Sequence, residues 1–292
     1  MEHQQQSAQQ RVAGRLHLSF DYDQRRQLTR LTTCEQQPPL QVIRAFPLAT
    51  GGTLVHLHNL SGGVLGGDQL TIKVDVGPQT QVQLTSTSAT RLYRCRPDTP
   101  PAQQTCTIRI QEGGLLEYLP DPLIPFAGSR YQQYTQFDLA QNAGLFWWET
   151  VAPGRIARGE LFAYDLMYLG LTISALARPI AIERFKLEPQ CRTLSSVARL
   201  GLYHSFSSFY ICRVGLPATR WTQLEQELSE LAQDLTHPGE TTWGVSALVA
   251  HGLVIRAVSR QARDIAPGLL ALWRAAKRSL YAEDAILPRK IY

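Results

Sequence analysis

The 292-residue sequence lacks the features that would place it in a membrane, in an oxidising compartment or on nucleic acid. No run of about 18 apolar residues occurs, so no membrane-spanning helix is predicted. The five cysteines form no Cys-x-x-Cys pair, and their odd number is typical of free thiols in a reducing compartment. The net charge of +5 is too small to indicate nucleic-acid binding by itself. The glutamine-rich N-terminus has no apolar signal-peptide segment, so we expect a cytoplasmic protein.

The motifs of common hydrolases are also missing. There is no Gly-x-Ser-x-Gly elbow, no His-Glu-x-x-His segment and no close grouping of serine, histidine and aspartate. A triad assembled in space from some of the seven histidines is the alternative that the sequence leaves open. We predict that the protein is not an enzyme.

What the sequence does contain is a long series of alternating segments between residues 15 and 185. Apolar and polar residues alternate in segments that begin near Leu16, Val82 and Cys106. A period of two is typical of strands with one buried and one solvated face. Turn-forming pairs such as Gly77-Pro78 separate these segments, and no helical pattern lies between them. The pattern predicts a mainly β fold in which antiparallel or mixed sheets are stacked on each other.

Two helices are predicted in the last third of the chain. The first covers residues 219–235 and the second covers residues 267–281, because apolar residues recur there every three or four positions. The apolar stripes consist of Trp221, Leu224, Leu228, Leu231 and Leu235 in the first helix, and of Leu269, Leu270, Trp273 and Leu280 in the second. Lys277 and Arg278 suit the C-terminal end of the second helix dipole. Between the helices, residues 245–258 are predicted to form strands that turn at His251-Gly252.

The organisation of the chain indicates one domain. We find no internal repeat and no linker in the sequence. We therefore predict a disordered polar tail over residues 1–13 and a single domain over residues 14–292.

A glycine-rich segment, SGGVLGGDQL, occupies residues 61–70 and precedes an alternating strand pattern. Its glycines are Gly62, Gly63, Gly66 and Gly67, and Asp68 follows them. A P-loop would place a lysine and a hydroxyl residue there, whereas an acid repels a phosphate. A dinucleotide-binding loop would be followed by a helix rather than by a strand. Two interpretations remain: a tight connection between strands, or a loop of close approach that carries a functional acid.

Three glutamates lie within apolar strand segments. Glu117 lies in LLEYL, Glu149 in FWWET and Glu183 in IAIERF. A buried carboxylate must be paired or must bind something, so these acids are candidate functional residues. Arg184 is an improbable partner for Glu183, because neighbours on a strand point to opposite faces. The alternative is that each acid faces water or pairs with a more distant arginine.

His56 and His58 alternate on one strand, so both imidazoles leave the same face about 7 Å apart. Such a pair can share a transition metal ion. No third ligand with a recognisable spacing follows, and a pair of exposed strand histidines is the simpler interpretation.

The last 37 residues carry eight basic against three acidic side chains. No aromatic-interleaved motif supports nucleic-acid binding there. We favour a solvated or partner-facing surface.

Five segments, in the correct order, resemble the urease accessory protein D family, also called H. They are GGVLGGD followed by LTIKVDV, then VQLTSTSATRLYR, GGLLEYLPDPLIPFAGSRY, FDLAQNAGLFWWETVAPGRIARGELF, and finally WGVSALVAHGLVIRAVS with PRKIY. Arg91 stands where the family usually has a lysine. The resemblance covers residues 14–292.

The resemblance implies a fold and a function. The family fold is a mainly β stack of strands that resembles a flattened helical winding, with two helices. Family members are not enzymes but help to install nickel in apo-urease. The implied partners are apo-urease, accessory protein F and the GTPase accessory protein G, with accessory protein E acting indirectly through G. The implied metal is Ni²⁺ in transit, with no tightly bound cofactor.

Two hypotheses follow for the mechanism. In the first, Ni²⁺ crosses a water-filled passage lined by Asp68, Glu149 and Glu183, with Glu117 behind them. A few hard oxygen ligands hold a divalent ion weakly enough for it to move on. The glycines of residues 62–67 would let two chain segments approach closely at Asp68. In the second hypothesis, the protein is a scaffold that opens apo-urease and carries no nickel itself.

Overall fold

A computed structural model describes residues 12–288. The predicted disordered tail over residues 1–13 lies almost entirely outside the described residues. At its end the prediction is wrong, because Ala13 already begins the first strand.

Eighteen β-strands and two α-helices form in the described part of the chain. The strands are β1 (Ala13–Asp23), β2 (Leu28–Gln37), β3 (Leu40–Gln41), β4 (Ala45–Pro47), β5 (Thr53–Asn59), β6 (Gln69–Val76), β7 (Gln81–Ser86), β8 (Thr90–Leu92), β9 (Ala102–Ile110), β10 (Leu115–Tyr118), β11 (Leu123–Pro125), β12 (Arg130–Leu139), β13 (Gly144–Val151), β14 (Leu166–Ala175), β15 (Arg178–Leu187), β16 (Ser205–Arg213), β17 (Thr241–Ala247) and β18 (Gly252–Ser259). The helices are α1 (Ala218–Asp234) and α2 (Ile265–Tyr281), and short 3₁₀ turns cover Ile156–Arg158 and Ala262–Asp264. The mainly β class and the two late helices are as predicted.

The strands form two sheets that stack on each other. The first sheet has the order β15-β14-β12-β9-β6-β1-β2, and the second follows the path β17-β18-β16-β13-β10-β7-β5-β3. From β5 to β14 the main strands alternate between the two sheets along the chain. Neighbours within one sheet are therefore separated by a strand of the other sheet, and they run in the same direction. This arrangement is a flattened winding, as the resemblance implied.

The strand pairing shows that both sheets are mixed, which is one of the two arrangements that the sequence predicted. The central neighbours, such as β6 with β9 and β10 with β13, are parallel. Antiparallel pairs close both edges of the first sheet, β1 with β2 and β14 with β15, and continue in the second sheet from β17 to β13. Alternation of apolar and polar residues is the same in both pairings, so it could predict the stacking but not the strand direction.

Two hydrophobic cores result from this layering. The first lies between the sheets, and the second lies between the second sheet and the helices. Strand β13 contributes side chains to both cores, because Trp147 packs in the first core while Phe146 and Trp148 pack in the second. Each such side chain stabilises the fold by about 1.5–3 kcal/mol when it is fully buried.

The helices bury most of the apolar residues that were predicted to face the core. Trp221, Leu224 and Leu228 of α1 are buried, whereas Leu231 and Leu235 are only partly covered. Helix α2 additionally buries Leu272, Ala276 and Lys277. Lys277 is thus inside the second core and does not serve as a solvated charge at the helix end. No helix within residues 12–288 is long and apolar enough to cross a membrane.

Candidate functional site

Three cavities lie in a row between the two sheets and toward their edge. We call the first the inner cavity, with a volume of about 90 Å³, and the second the junction cavity, with about 10 Å³. The third, with about 380 Å³, opens to solvent and is called the basic groove. Trp147 and Glu149 line both the inner and the junction cavity. Phe185 and Phe206 line both the junction cavity and the basic groove.

Glu149 lies where the inner and junction cavities meet. The alternation of β13 sends Phe146 and Trp148 toward the helices, so Trp147 and Glu149 face the first sheet. Gln133 of β12, on the opposite sheet, donates a hydrogen bond from Nε2 to Glu149 Oε1. Neither cavity has a lysine or arginine among the described residues of its wall. Burial raises the pKa of Glu149 to about 7, and the hydrogen bond from Gln133 opposes this only in part.

The remaining wall of the inner cavity carries Asp121, His58 and several neutral polar groups. Cys106 and Thr135 project from the first sheet, and Tyr118 projects from the second. Burial raises the pKa of the Cys106 thiol to about 12, and the nearby Glu149 adds to this shift. The thiol is therefore protonated at neutral pH, and Glu149 is the acid of this wall whose pKa is moved by burial to about 7.

Glu183 lines the junction cavity, and Arg256 lines the adjoining basic groove. The carboxylate of Glu183 forms an ion pair with Arg256 of β18, which bridges the two sheets. As expected, the adjacent Arg184 does not pair with it: Arg184 Nη1 donates to the backbone carbonyls of Leu171 and Glu183. The more distant arginine that the sequence left open is thus Arg256, 73 positions away.

Glu117 lies on the other face of the second sheet, away from the cavities. Lys277 Nζ is 3.0 Å from both of its carboxylate oxygens, and Trp273 Nε1 donates to Oε1 at 2.9 Å. Gln83 Nε2 approaches Oε2 at 3.4 Å. Burial raises the pKa of Glu117, and these donors oppose that shift. Glu117 is therefore a paired carboxylate of the second core and is not brought together with Glu149.

The glycine-rich segment is the crossover from β5 to β6, and it packs against residues 91–95. A Cβ at Gly63 would lie 2.5 Å from the carbonyl oxygen of Arg91, and one at Gly66 would lie 2.5 Å from the Sγ of Cys95. Gly62 and Gly67 have φ values of 69° and 87°, in the left-handed region that favours glycine. These contacts explain all four glycines as requirements of a tight connection.

Asp68 ends this connection. It is 3% exposed, and its Oδ2 accepts a hydrogen bond from the backbone N–H of Leu65 at 2.9 Å. Burial raises the pKa of Asp68, which the backbone N–H groups of Leu65 and Val12 oppose. Asp68 does not line the inner cavity, the junction cavity or the basic groove. The structure thus places Glu149 and Glu183 on adjoining cavities and separates Asp68 and Glu117 from them.

The histidine pair of β5 is divided between two environments. His56 is buried and meets the ring of Phe46 edge-on at 5.5 Å, whereas His58 lines the inner cavity. Burial and the neighbouring His56 lower the pKa of His58. In the described part of the chain, no three histidine, cysteine or acidic side chains converge in a way that could hold a metal ion.

Gln133 and Asp121 are cavity residues that sequence reasoning missed. Gln133 shares the inward face of β12 with Tyr131, Thr135 and Phe137. An amide side chain among the inward-facing residues of β12 was the signal that could have revealed it. Asp121 follows β10, is half-buried and lines the inner cavity. It lies outside any alternating strand segment, so no sequence pattern indicated it.

These features define a class of protein: a flattened two-sheet β winding that encloses a row of cavities. Two helices cover one of its sheets, and the cavities are lined by three acids, Asp121, Glu149 and Glu183. The sequence profile of the family described as "UreD urease accessory protein" matches residues 12–291. The chain therefore belongs to the UreD family of urease accessory proteins, which confirms the predicted family.

Named relatives agree with this assignment. A urease accessory protein UreD of Herpetosiphon aurantiacus is 49% identical over 276 residues, which covers 94% of this chain and 96% of the relative. That of Halalkalibacterium halodurans is 31% identical over 76% of this chain and 80% of its own. That of Bacillus sp. (strain TB-90) is 27% identical over 94% of this chain and 97% of its own. These relatives are named as accessory proteins and not as enzymes.

Proposed function

We propose that this protein acts in urease maturation as a nickel-insertion factor, and that Ni²⁺ passes between its two sheets beside Glu149. The inner cavity and the junction cavity would form part of the route. The observation that carries this proposal is the position of Glu149, a carboxylate without a cation partner among the described residues, in the shared wall of two cavities.

The chemistry of Glu149 suits transfer of a divalent ion. A carboxylate is a hard ligand, and one carboxylate with an amide and a hydroxyl nearby holds a divalent ion only weakly. Because the pKa of Glu149 is raised to about 7, the group can exchange a proton for an arriving ion near neutral pH. A protonated Cys106 in the same wall would not trap the ion as a thiolate would.

The partners in this proposal come from the family resemblance. The protein would bind apo-urease and the accessory F–G complex in the cytoplasm, receive Ni²⁺ released from the GTPase G, and deliver it to the urease active site. Accessory protein E would act indirectly, through G. Ni²⁺ is the cargo, and the protein itself would perform no bond chemistry.

The test is a co-expression experiment with a urease operon that lacks its own D protein. We expect Glu149→Ala to lower the nickel content of purified urease by about tenfold, since even loss of a supporting partner in a metal site costs at least that much affinity. The matched control is Glu230→Ala, on the exposed side of α1. Complex assembly, measured by pull-down with urease and F–G, should be unchanged in both variants.

The second candidate is a scaffold that opens apo-urease while nickel takes another route. The basic groove favours it, because a solvent-open cavity without acids in its described wall suits protein contact better than ion transfer. In that case Glu149→Ala would load urease as well as the unaltered protein does. Only variants that lose pull-down of urease or F–G would then lose nickel.

A further inference from the structure

The basic groove lies where the edge strand β15 of the first sheet approaches β16 and β18 of the second. Residues 194–200 of the connection after β15 contribute one wall. Four of the twelve lining residues are basic and none is acidic. Of the other lining residues, Ser207 is polar. The apolar ones are Phe185, Leu187, Leu194, Leu200, Phe206, Ala257 and Val258. The cavity thus combines an apolar floor with positive charge.

Two arginines place that charge at the opening. Arg199 and Arg256 are both exposed, and they come from different walls of the groove. Arg184 and Lys186 lie on the solvent face of β15, where Arg184 is held by backbone carbonyls of Glu183 and Leu171. Arg199 Nη1 donates to the backbone carbonyl of Arg192 at 3.0 Å, and the remaining N–H donors of Arg199 and Arg256 can serve a bound molecule.

Arg256 uses only some of its N–H donors within the protein. Its Nη2 donates to Glu183 and its Nη1 donates to Ser208 Oγ at 3.2 Å, whereas a guanidinium carries five N–H donors. Its side chain is 50% exposed, so part of the guanidinium faces solvent. A planar fork of this kind binds carboxylates in a bidentate way.

The size of the groove limits the occupant. About 380 Å³ is at the lower end of the ~300–1,000 Å³ of ligand pockets. It suits one or two bulky apolar side chains rather than a folded element. An occupant that also carries carboxylates would match both the floor and the rim.

We propose that the basic groove binds an extended segment of a partner protein in which a leucine or phenylalanine stands next to two or more carboxylates. The apolar side chain would lie on Phe185, Leu200 and Phe206, and a carboxylate would reach Arg199 or Arg256. This site is separate from Glu149. The binding site itself does not depend on the proposed function. Only the expectation that the partner belongs to urease maturation rests on it.

The experiment uses the full chain, without nickel, and a panel of fluorescein-labelled 12-residue peptides. Each peptide contains Leu or Phe beside two aspartates, and a matched panel has asparagine in place of aspartate. We expect the acidic panel to bind at least about tenfold more tightly than the amide panel, because charge complementarity adds to apolar burial. The advantage should shrink as salt is raised.

Two variants locate the site. Leu200→Asp places an acid in the apolar wall and should abolish binding of the acidic panel, whereas Val197→Asp, at a 98% exposed position of the same connection, should leave it unchanged. Arg199→Gln should weaken binding by about threefold or more while leaving the Glu183–Arg256 pair intact.

Three results would overturn the inference: no binding above the amide panel, binding unaffected by Leu200→Asp, or self-association of the chain that Leu200→Asp removes. The last would assign the groove to a second copy of this protein. Because no metal is present, each of these outcomes is independent of whether Glu149 conducts nickel.

Discussion

Glu117 and Glu149 occupy equivalent sequence settings but opposite faces of the second sheet. Both lie in apolar strands that pair with each other, β10 with β13. Glu117 faces the helices, where Lys277 and Trp273 hold both carboxylate oxygens. Glu149 faces the first sheet, where Gln133 donates a hydrogen bond and two cavities adjoin. One carboxylate is compensated by a cation, and the other is left to respond to pH or to an arriving ion.

The two glutamates show that a carboxylate in an apolar strand can have either of two roles, in stability or in function. A buried ion pair is costly to form but costlier to break, since removal of one partner leaves an uncompensated charge. A buried acid without a cation instead shifts its pKa and becomes neutral. The paired site is therefore expected to matter for stability, and the unpaired site for function.

The largest effect is expected at the paired site. Lys277→Met should lower the free energy of unfolding at pH 7 by about 3–5 kcal/mol, because Glu117 would lose its cation inside the second core. Urea unfolding monitored by tryptophan fluorescence measures this. The double variant Lys277→Met/Glu117→Gln should recover most of the loss. A single-variant loss below about 1 kcal/mol would mean that the pair is not the anchor described here.

A smaller and pH-dependent effect is expected at Glu149. Its folded pKa of about 7 lies above the ordinary value of 4.5, so the protonated form stabilises the fold. That stabilisation is fully present below about pH 4.5 and is lost as pH rises through 7, by on the order of 3 kcal/mol. Glu149→Gln removes this dependence, so the variant should be more stable than the unaltered protein at pH 8 and similar to it at pH 5.

The measurement is the free energy of unfolding of the unaltered protein and of Glu149→Gln between pH 5 and pH 8. Other titrating groups cancel because they are shared by both proteins. Parallel curves would show that Glu149 ionises with an ordinary pKa, and the contrast with Glu117 would then disappear.

The smallest effect is expected at Asp68, a buried acid that has no cation partner within residues 12–288 and lines none of the three cavities. Asp68→Ala should cost about 1 kcal/mol, because the backbone N–H of Leu65 loses its acceptor. Asp68→Asn keeps an oxygen acceptor and should cost less. Thermal unfolding of both variants checks the order. A loss as large as that of Lys277→Met would place Asp68 among the main anchors of the fold.

Much of the fold could be predicted because it follows from local patterns. Alternation around Leu16 and Cys106 marked buried strand faces, and helical spacing at Trp221 marked α1. Strand direction could not be predicted, because parallel and antiparallel strands share a period of two. The burial of Lys277 was missed for a related reason, since its partner Glu117 lies 160 positions away.

The candidate site could be predicted only in part. The apolar settings of Glu117, Glu149 and Glu183 indicated that each acid needs a partner or a function. The sheet face that each glutamate occupies depends on how the strands pack, and the neighbouring residues in the sequence do not reveal it. Gln133 required knowledge of which register of β12 points inward. Asp68 drew attention through its glycines, which in fact serve the close approach to residues 91–95.

The central claim is that a divalent ion can reside beside Glu149 between the two sheets. Anomalous diffraction at the nickel edge, from crystals soaked in NiCl₂ at pH 8 and at pH 5.5, tests it most directly. We predict an anomalous peak next to the Glu149 carboxylate at pH 8 that disappears at pH 5.5, where the group is protonated. Nickel found only on surface histidines, with no density between the sheets at either pH, would contradict the account.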